Sequence, residues 1–229
     1  MTDVLKFSEK TLTILKNYSS INQSIYFNEG STVSTISPSK FVMAYSNIDE
    51  TIDTPFAIYE LSKFLSVLSL FDNPDIFIKE HYCEIKEKNK SVTYTFCDPE
   101  NIRVPPKLSL VESELSEPLV EFSLTEKEIK GILKGTSILR SPQIAIQSMD
   151  GKIVIKGVNT EKPSDNSYSI SIGDTEDEFS IFLKVEFIRL MDGDYNVAIH
   201  KVGGNALILK FYNDTTIYFN AVEPTSYFN

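Results

Sequence analysis

The chain has 229 residues, 41% hydrophobic and 11% aromatic, which supplies enough apolar surface for a packed core and excludes a mainly disordered or collagen-like chain. Its 22 Lys and Arg stand against 32 Asp and Glu, a formal net charge of −10, which argues against a protein that coats nucleic acid by bulk attraction. Apolar runs such as Ala206 to Leu209 are far short of a membrane span, no basic, apolar N-terminus reads as a signal peptide, and Cys83 and Cys97 alone are too few for a disulfide framework.

Ser8 is placed to cap a helix over 8–19 in which Leu12, Ile14, Leu15 and Tyr18 share a face. A hairpin follows, with Ser24 to Phe27 and Ser31 to Ile36 around Asn28-Glu29-Gly30. Phe56 to Ile58 reads as a short strand and 59–71 as a second helix, with Leu61, Phe64, Leu65 and Leu68 apolar. Asp72-Asn73-Pro74 ends it. Strands and turns then run to Cys97, with Asn89-Lys90 joining Tyr82–Lys88 to Ser91–Cys97, so that the two cysteines are expected nearly opposite each other as buried thiols. From Asp98 to Pro118 the pattern changes to Pro99, Pro105, Pro106 and Pro118 among Glu112, Glu114 and Glu117, the composition of a connector. Two domains are expected, 1–110 and 111–229.

Beyond the connector the order restarts. Thr125 to Gly135 reads as a helix with Ile129, Ile132 and Leu133 apolar and Gly135 at its end, and Asp150-Gly151 as the turn of a hairpin. Residues 183–191 read as a fourth helix, and Gly203-Gly204 joins Ile199–Val202 to Ala206–Phe211. The halves superimpose: Ile14-Leu15-Lys16 falls on Ile132-Leu133-Lys134 at a separation of 118, and Gly30 falls close to Gly151. Phe56-Ala-Ile58, Phe64-Leu65 and Leu68 match Phe179-Ser-Ile181, Phe187-Ile188 and Met191 at a constant 123. A duplicated domain explains this better than chance likeness between strand-helix-strand units.

Catalysis needs convergent groups, and few candidates survive. His81, Cys83 and Cys97 offer at most three zinc ligands where four at tight spacing are usual. Asp192-Gly-Asp194 starts like a calcium loop but lacks its glycine and terminal glutamate, and reads as a helix-to-strand turn. His81 and His200, the only bases for a nucleophile, read as solvated strand residues, and the acidic run Asp174 to Glu178 as a solvated loop. No catalytic site, metal or cofactor is expected.

The positive charge is localised. The four expected helices carry Lys10, Lys16, Lys63, Lys127, Lys130, Lys134, Lys184 and Arg189 against Glu9, Glu60, Glu126, Glu128 and Glu186, a surplus of three in a chain of net −10. Such a repeated unit, with basic helices, an acidic remainder and a Pro-rich connector, resembles the DNA sliding clamps. Ala57 to Leu70, Gly151 to Gly157 and Tyr168 to Asp174 resemble the polymerase processivity clamp of T-even-like bacteriophages, and the likeness spans nearly the whole chain. It departs most in the connector and in Glu223 to Asn229.

The resemblance implies an α+β fold of duplicated clamp domains, with outer antiparallel sheets and helices lining the inner face of a homotrimeric ring joined edge strand to edge strand. It implies a non-catalytic ring that encircles duplex DNA without reading sequence, tethers the replicative polymerase, is opened by an ATP-dependent clamp loader, serves late transcription, and works in the cytoplasm of the infected bacterial host. The eight basic residues would then face DNA. The family's cleft for partner peptides would draw on Val104, Leu108, Val222, Pro224 and Tyr227, which plain inter-domain packing explains equally well. The alternative is a duplicated β-rich scaffold that binds protein partners without encircling DNA. It predicts a monomer or dimer.

Overall fold

The computed structural model describes residues 4–204 and 206–229. The chain divides by contacts between Pro106 and Lys107 into two compact units. Lys107 to Leu110, assigned by sequence to the first domain, are thus held by the second.

The first unit opens with β1 (Val4–Leu5) and α1 (Glu9–Ser19). The helix begins where the sequence places it, with the Ser8 hydroxyl accepting from the Thr11 amide, and it buries Thr11, Ile14, Leu15 and Tyr18. That spacing makes one stripe, which lies against the later strand β4 and helix α2. Next come β2 (Ile25–Phe27), β3 (Gly30–Ile36), β4 (Val42–Ile52), β5 (Phe56–Ile58), α2 (Leu61–Leu68), β6 (Asp75–Ile78), β7 (Tyr82–Glu87), β8 (Lys90–Thr95) and a 3₁₀ turn at Pro99–Asn101. An antiparallel ladder runs β1-β6-β7-β8. The arms expected around Asn28-Glu29-Gly30 exist, but β2 pairs with β5 and β3 with β4. Strand β4, interspersed with Asn47, Asp49 and Glu50, carries no clean alternation and escapes a sequence reading. The rings of Phe7, Phe27, Phe56 and Phe96 stack in a column at centroid spacings of 5.8, 4.4 and 5.0 Å.

The β7–β8 turn is one residue earlier than expected, since Glu87 faces Lys90 and Lys88 takes the left-handed φ of 51°. Cys83 therefore pairs with Tyr94, and Cys97 lies beyond the strand, its amide bonded to the Ala57 carbonyl. The two thiols are not cross-strand neighbours. Burial pushes the Cys83 thiol up to about 12, which keeps it protonated at neutral pH. His81 is exposed beside Glu80, and among the described residues no three His, Cys, Asp or Glu groups converge as a metal site.

The second unit repeats the plan: α3 (Leu108–Ser113), β9 (Val120–Leu124), α4 (Glu126–Leu139), β10 (Gln143–Met149), β11 (Lys152–Val158), β12 (Ser169–Asp174), β13 (Phe179–Lys184), a 3₁₀ turn at Val185–Phe187, then β14 (Tyr195–Val202), β15 (Ala206–Tyr212), β16 (Thr216–Ala221) and β17 (Tyr227–Phe228). Strand β9 pairs with β14, and β14, β15 and β16 follow in order, the counterpart of β1-β6-β7-β8. Strand order β12-β11-β10-β13 restates the β3–β4 and β2–β5 pairings as one continuous sheet, to which the short β17 is added. Asp150 and Gly151 turn the β10–β11 hairpin with φ of 51° and 74°, as their sequence predicts.

Four expectations fail here. Helix α4 runs past Gly135 to Leu139 and is closed by Arg140 at φ 55°. Gly135 is small for another reason: a Cβ there would lie 2.6 Å from the Tyr168 ring. Residues 183–191 are not an α-helix, because β13 continues through Lys184 and only one 3₁₀ turn follows. His200 is buried rather than solvated, its Nδ1–H donating to the Ser116 carbonyl at 2.8 Å. Finally, the connector is not wholly irregular: Glu112 on α3 meets Lys210 on β15 at 2.9 Å, which fastens α3 to the second unit.

Candidate nucleic-acid interface

Helix α1 of the first unit and its counterpart α4 of the second are held at their N-termini in the same way. In the first unit, Glu50 on β4 accepts from the Ser8 amide and the Thr11 hydroxyl. In the second, Thr125 and Glu128 form a capping box, and Asp194 accepts from the Glu126 amide at 2.7 Å. Carboxylates here satisfy otherwise unpaired N–H groups and complement the helix dipole. Hydrogen bonds from Thr125 hold the Glu128 carboxyl below its ordinary range. The lookalike of a calcium loop at Asp192–Asp194 is therefore a helix-fixing turn.

These anchors fix which faces point outward. On α4, Lys127, Lys130 and Lys134 recur at i, i+3 and i+7, opposite the buried Ile129, Ile132 and Thr136. On α1, Lys16 lies opposite the buried stripe, and its stem lines an apolar hollow of about 130 Å³ with Leu12, Leu65 and Leu68. Lys16 and Lys134, 118 residues apart, hold the same position on the repeated helix.

The eight basic residues are not equivalent. Lys10 pairs with Asp49 at 3.0 Å, and this hydrogen bond holds the Asp49 carboxyl low. Lys63 pairs with Glu60 at 3.1 Å. Lys130 bridges Glu126 and, at 2.9 Å, Asp192, and these hydrogen bonds push its ammonium up. Lys184 sits at the end of a strand, with its Nζ 5.8 Å from the Phe187 ring centroid, and Arg189 donates to the Glu186 carbonyl at 2.9 Å. Lys16, Lys127 and Lys134 are exposed and, among the described residues, form no ion pair. They offer charge that no local carboxylate offsets.

The five residues named for a partner cleft are distributed over both units. Val104 is exposed in the first. In the second, Leu108 begins α3 and is half-buried, as is Val222, whereas Pro224 and Tyr227 are exposed. The chain after Val222 is not loose: Glu223 donates to the Phe182 carbonyl at 2.8 Å, Ser226 accepts from the Phe182 amide, and Tyr227 pairs with Ser180 in β17. Stacking of Phe228 on Phe179 at 5.6 Å completes that seam. Neither β17 nor the extra turn of α4 that brings Ile138, Leu139 and Arg140 to the surface was legible beforehand, although Phe179 and Phe228 as late aromatics were a usable signal for the first.

The family described as DNA polymerase processivity factor matches residues 6–100, and that described as gp45 sliding clamp, C terminal, matches residues 121–224. The chain belongs to the phage sliding-clamp family. The sliding clamp of Vibrio phage KVP40 is 27% identical over 224 residues, covering 96% of this chain and 99% of that one, and the sliding clamp of Escherichia phage RB69 is 28% identical over 230 residues, covering 97% and 98%. Among solved structures, the PCNA of A. fulgidus, bound to the C-terminal region of FEN-1, is similar with a TM-score of 0.70 at 15% identity, over 99% of this chain and 100% of that one. The DNA polymerase III subunit beta of Pseudomonas aeruginosa gives 0.67 at 10% identity, over 99% of this chain and 66% of that one. These structural likenesses establish the clamp fold. This sliding-clamp chain is accordingly a processivity factor of a phage DNA polymerase.

Proposed function

We propose that three copies of this clamp close into a ring around duplex DNA and tether the polymerase to its template, without catalysing a reaction. The observation that carries this is the duplicated helix with Lys16 and Lys134 exposed, unpaired and in the same place on both repeats. A trimer would present six such lysines with pseudo-sixfold symmetry. Lysines facing phosphates attract without reading bases, so the energy hardly changes as the ring moves along the duplex. Lys127 joins them as the third unpaired charge, while Lys10, Lys63, Lys130, Lys184 and Arg189 are weaker members of the set because local groups already engage them.

Two six-residue strands, β8 and β12, end their ladders with an open side, and joining them between copies would continue the sheets and remove the exposed edges. At −10 per chain the ring repels DNA at a distance, which is the physical reason for loading by an ATP-driven clamp loader. Tethering then acts by effective concentration, keeping the polymerase near its primer end between binding events. The same tethering extends to late transcription factors, in the cytoplasm of the infected host. Partner peptides would dock at apolar residues drawn from Val104, Leu108, Val222, Pro224 and Tyr227.

Sedimentation at several concentrations tests the ring directly. A species near three times 25.9 kDa is expected, and a monomer persisting at micromolar concentration would favour a scaffold that never encircles DNA. Changing Lys16 and Lys134 together to Glu should weaken loader-dependent retention on DNA and leave assembly unchanged. Retention equal to wild type would remove both from the DNA-facing set.

A further inference from the structure

We infer that successive copies in this ring are latched by charge, the basic β7–β8 turn of one copy meeting the acidic loop that follows β12 in the next. The inference rests on the ring reading and specifies its joint. Lys86, Lys88 and Lys90 are exposed at one end of β8, and Asp174, Glu176, Asp177 and Glu178 are exposed at one end of β12. Some of this charge is already engaged: Lys86 pairs with Glu84 at 2.7 Å, Asp174 with Lys152 at 2.8 Å, and Lys90 donates to the Leu70 carbonyl at 3.1 Å. Among the described residues, Lys88, Glu176, Asp177 and Glu178 have no ion-pair partner within the chain.

The placement of these charges selects how the edges meet. Lys90 opens β8 and Asp174 closes β12, so only antiparallel pairing brings the opposite charges together. Parallel pairing would set the lysines against Ser169. In the antiparallel sense Thr95 faces Ser169, the half-buried Tyr94 faces the half-buried Ile170 and Thr93 faces Ser171, and Lys90 and Asp174 come to the same end of the joint. Cys83 and Ile155, the ladder partners of Tyr94 and Ile170, are buried, so this register joins core face to core face. Strand β12 bulges at Ile172, where Val154 pairs with Ser171 and Ile153 with Gly173. The hydrogen-bonded stretch thus runs over Thr93–Thr95 and Ser169–Ser171, and beyond it the joint is held by charge.

The far end of the same register supplies independent support. Tyr94 donates its hydroxyl to the Glu60 carbonyl, which sets the 50%-exposed Tyr59 beside that end of β8. Tyr168, immediately before β12, packs on Gly135 of α4, near the 68%-exposed Ile138. Large apolar side chains left in water on both partners are therefore brought together by the register that the charges choose.

Sedimentation equilibrium of the full chain at low and high salt tests the latch, with three variants: Lys88→Glu with Lys90→Glu, Glu176→Lys with Asp177→Lys, and all four together. For the wild type the monomer–trimer midpoint should move to higher concentration as salt rises, because exposed pairs are screened over roughly 8 Å at physiological ionic strength. Each double reversal should raise the midpoint about tenfold, and the fourfold variant should return it towards wild type, a recovery that a folding defect cannot produce. Reversed variants that assemble like wild type, or a fourfold variant as weak as the doubles, would overturn the latch and leave the ring standing. A wild type monomeric under all conditions would overturn both.

Discussion

Residues 61–68 and 184–191 occupy the same place in the two repeats and share an apolar pattern, yet the first is a two-turn α-helix and the second a single 3₁₀ turn. Strand β5 is three residues long, and Tyr59 and Glu60 separate it from α2, whose Leu61, Phe64 and Leu68 are buried. In the second unit β13 runs to Lys184 and uses the residues that would start a helix, while Val185 and Ile188 add β-branched side chains. The backbone that a helix would have satisfied is satisfied by side chains instead. Asn220 donates to the Phe187 carbonyl at 2.7 Å, Tyr195 donates to the Met191 carbonyl at 3.1 Å, and the Met191 amide donates to the Tyr218 hydroxyl. Ile188 and Leu190 still line a hollow of about 30 Å³ with Ile132 and Leu133 beneath α4. Duplication has thus kept apolar residues at the matched positions while local structure and burial changed: Phe64 and Leu68 are buried, whereas Phe187 and Met191 are half-buried and Lys184, in the place of the buried Leu61, is exposed.

The comparison can be broken most severely at the matched phenylalanines. Phe56→Ala and Phe179→Ala each remove a buried ring and should cost about 3–5 kcal/mol in thermal unfolding, with Phe56 the costlier, because it stacks on both Phe27 and Phe96 whereas Phe179 stacks on Phe228. Equal costs would show that the stacked column adds nothing beyond burial.

A second test separates α4 from an ordinary helix. Gly135→Ala should destabilise by about 1–3 kcal/mol, because the new Cβ meets the Tyr168 ring at 2.6 Å. Gly131→Ala, where the nearest atom would be 3.6 Å away, should instead stabilise by up to about 1 kcal/mol through helix propensity. Chemical denaturation reads both, and a shared sign would reject the ring contact as the reason for the glycine.

The caps give a smaller contrast. Thr125→Ala dismantles a reciprocal capping box and should cost about 1 kcal/mol. Ser8→Ala should cost less, since Glu50 still accepts from the residue 8 amide. Urea midpoints measured on both variants would expose the opposite order.

The smallest effect is the pH dependence. Glu87, which accepts from the Asp72 and Asn73 amides, and Glu128, bonded to Thr125, are both held below the ordinary carboxylate range. A depressed carboxyl stabilises the fold above its unfolded value and loses that contribution as pH falls through its folded value. The stability gap between wild type and Glu128→Gln should therefore be present at pH 7 and shrink towards pH 3. A gap unchanged with pH would place the effect in the side chain's shape rather than its charge.

Much of the fold and of the candidate interface was legible beforehand, for identifiable reasons. Ser8 and the apolar Ile14, Leu15 and Tyr18 defined α1 because capping and helical periodicity are local, although Thr11 is the fourth buried residue where Leu12 was expected, and Leu12 is half-buried. Asp150-Gly151 defined its hairpin because few residues tolerate two successive left-handed positions. Lys16 and Lys134 could be singled out because the repeat placed them in register. What could not be read was which lysines have carboxylates beside them. Asp49 lies 39 residues from Lys10, and Asp192 lies 62 from Lys130.

The sequence by itself determined the duplication, the first helix of each repeat and its outward basic face, since each follows from periodicity and end signals within a dozen residues. Tertiary structure alone decided that β2 pairs with β5, that Gly135 makes room for Tyr168 rather than ending α4, that His200 is buried, and that 184–191 abandon the helix their apolar spacing suggests. In each case the deciding partner is distant in sequence, and the free energy of burying a side chain or satisfying a backbone group against it exceeds the fraction of a kcal/mol per residue that local propensity contributes.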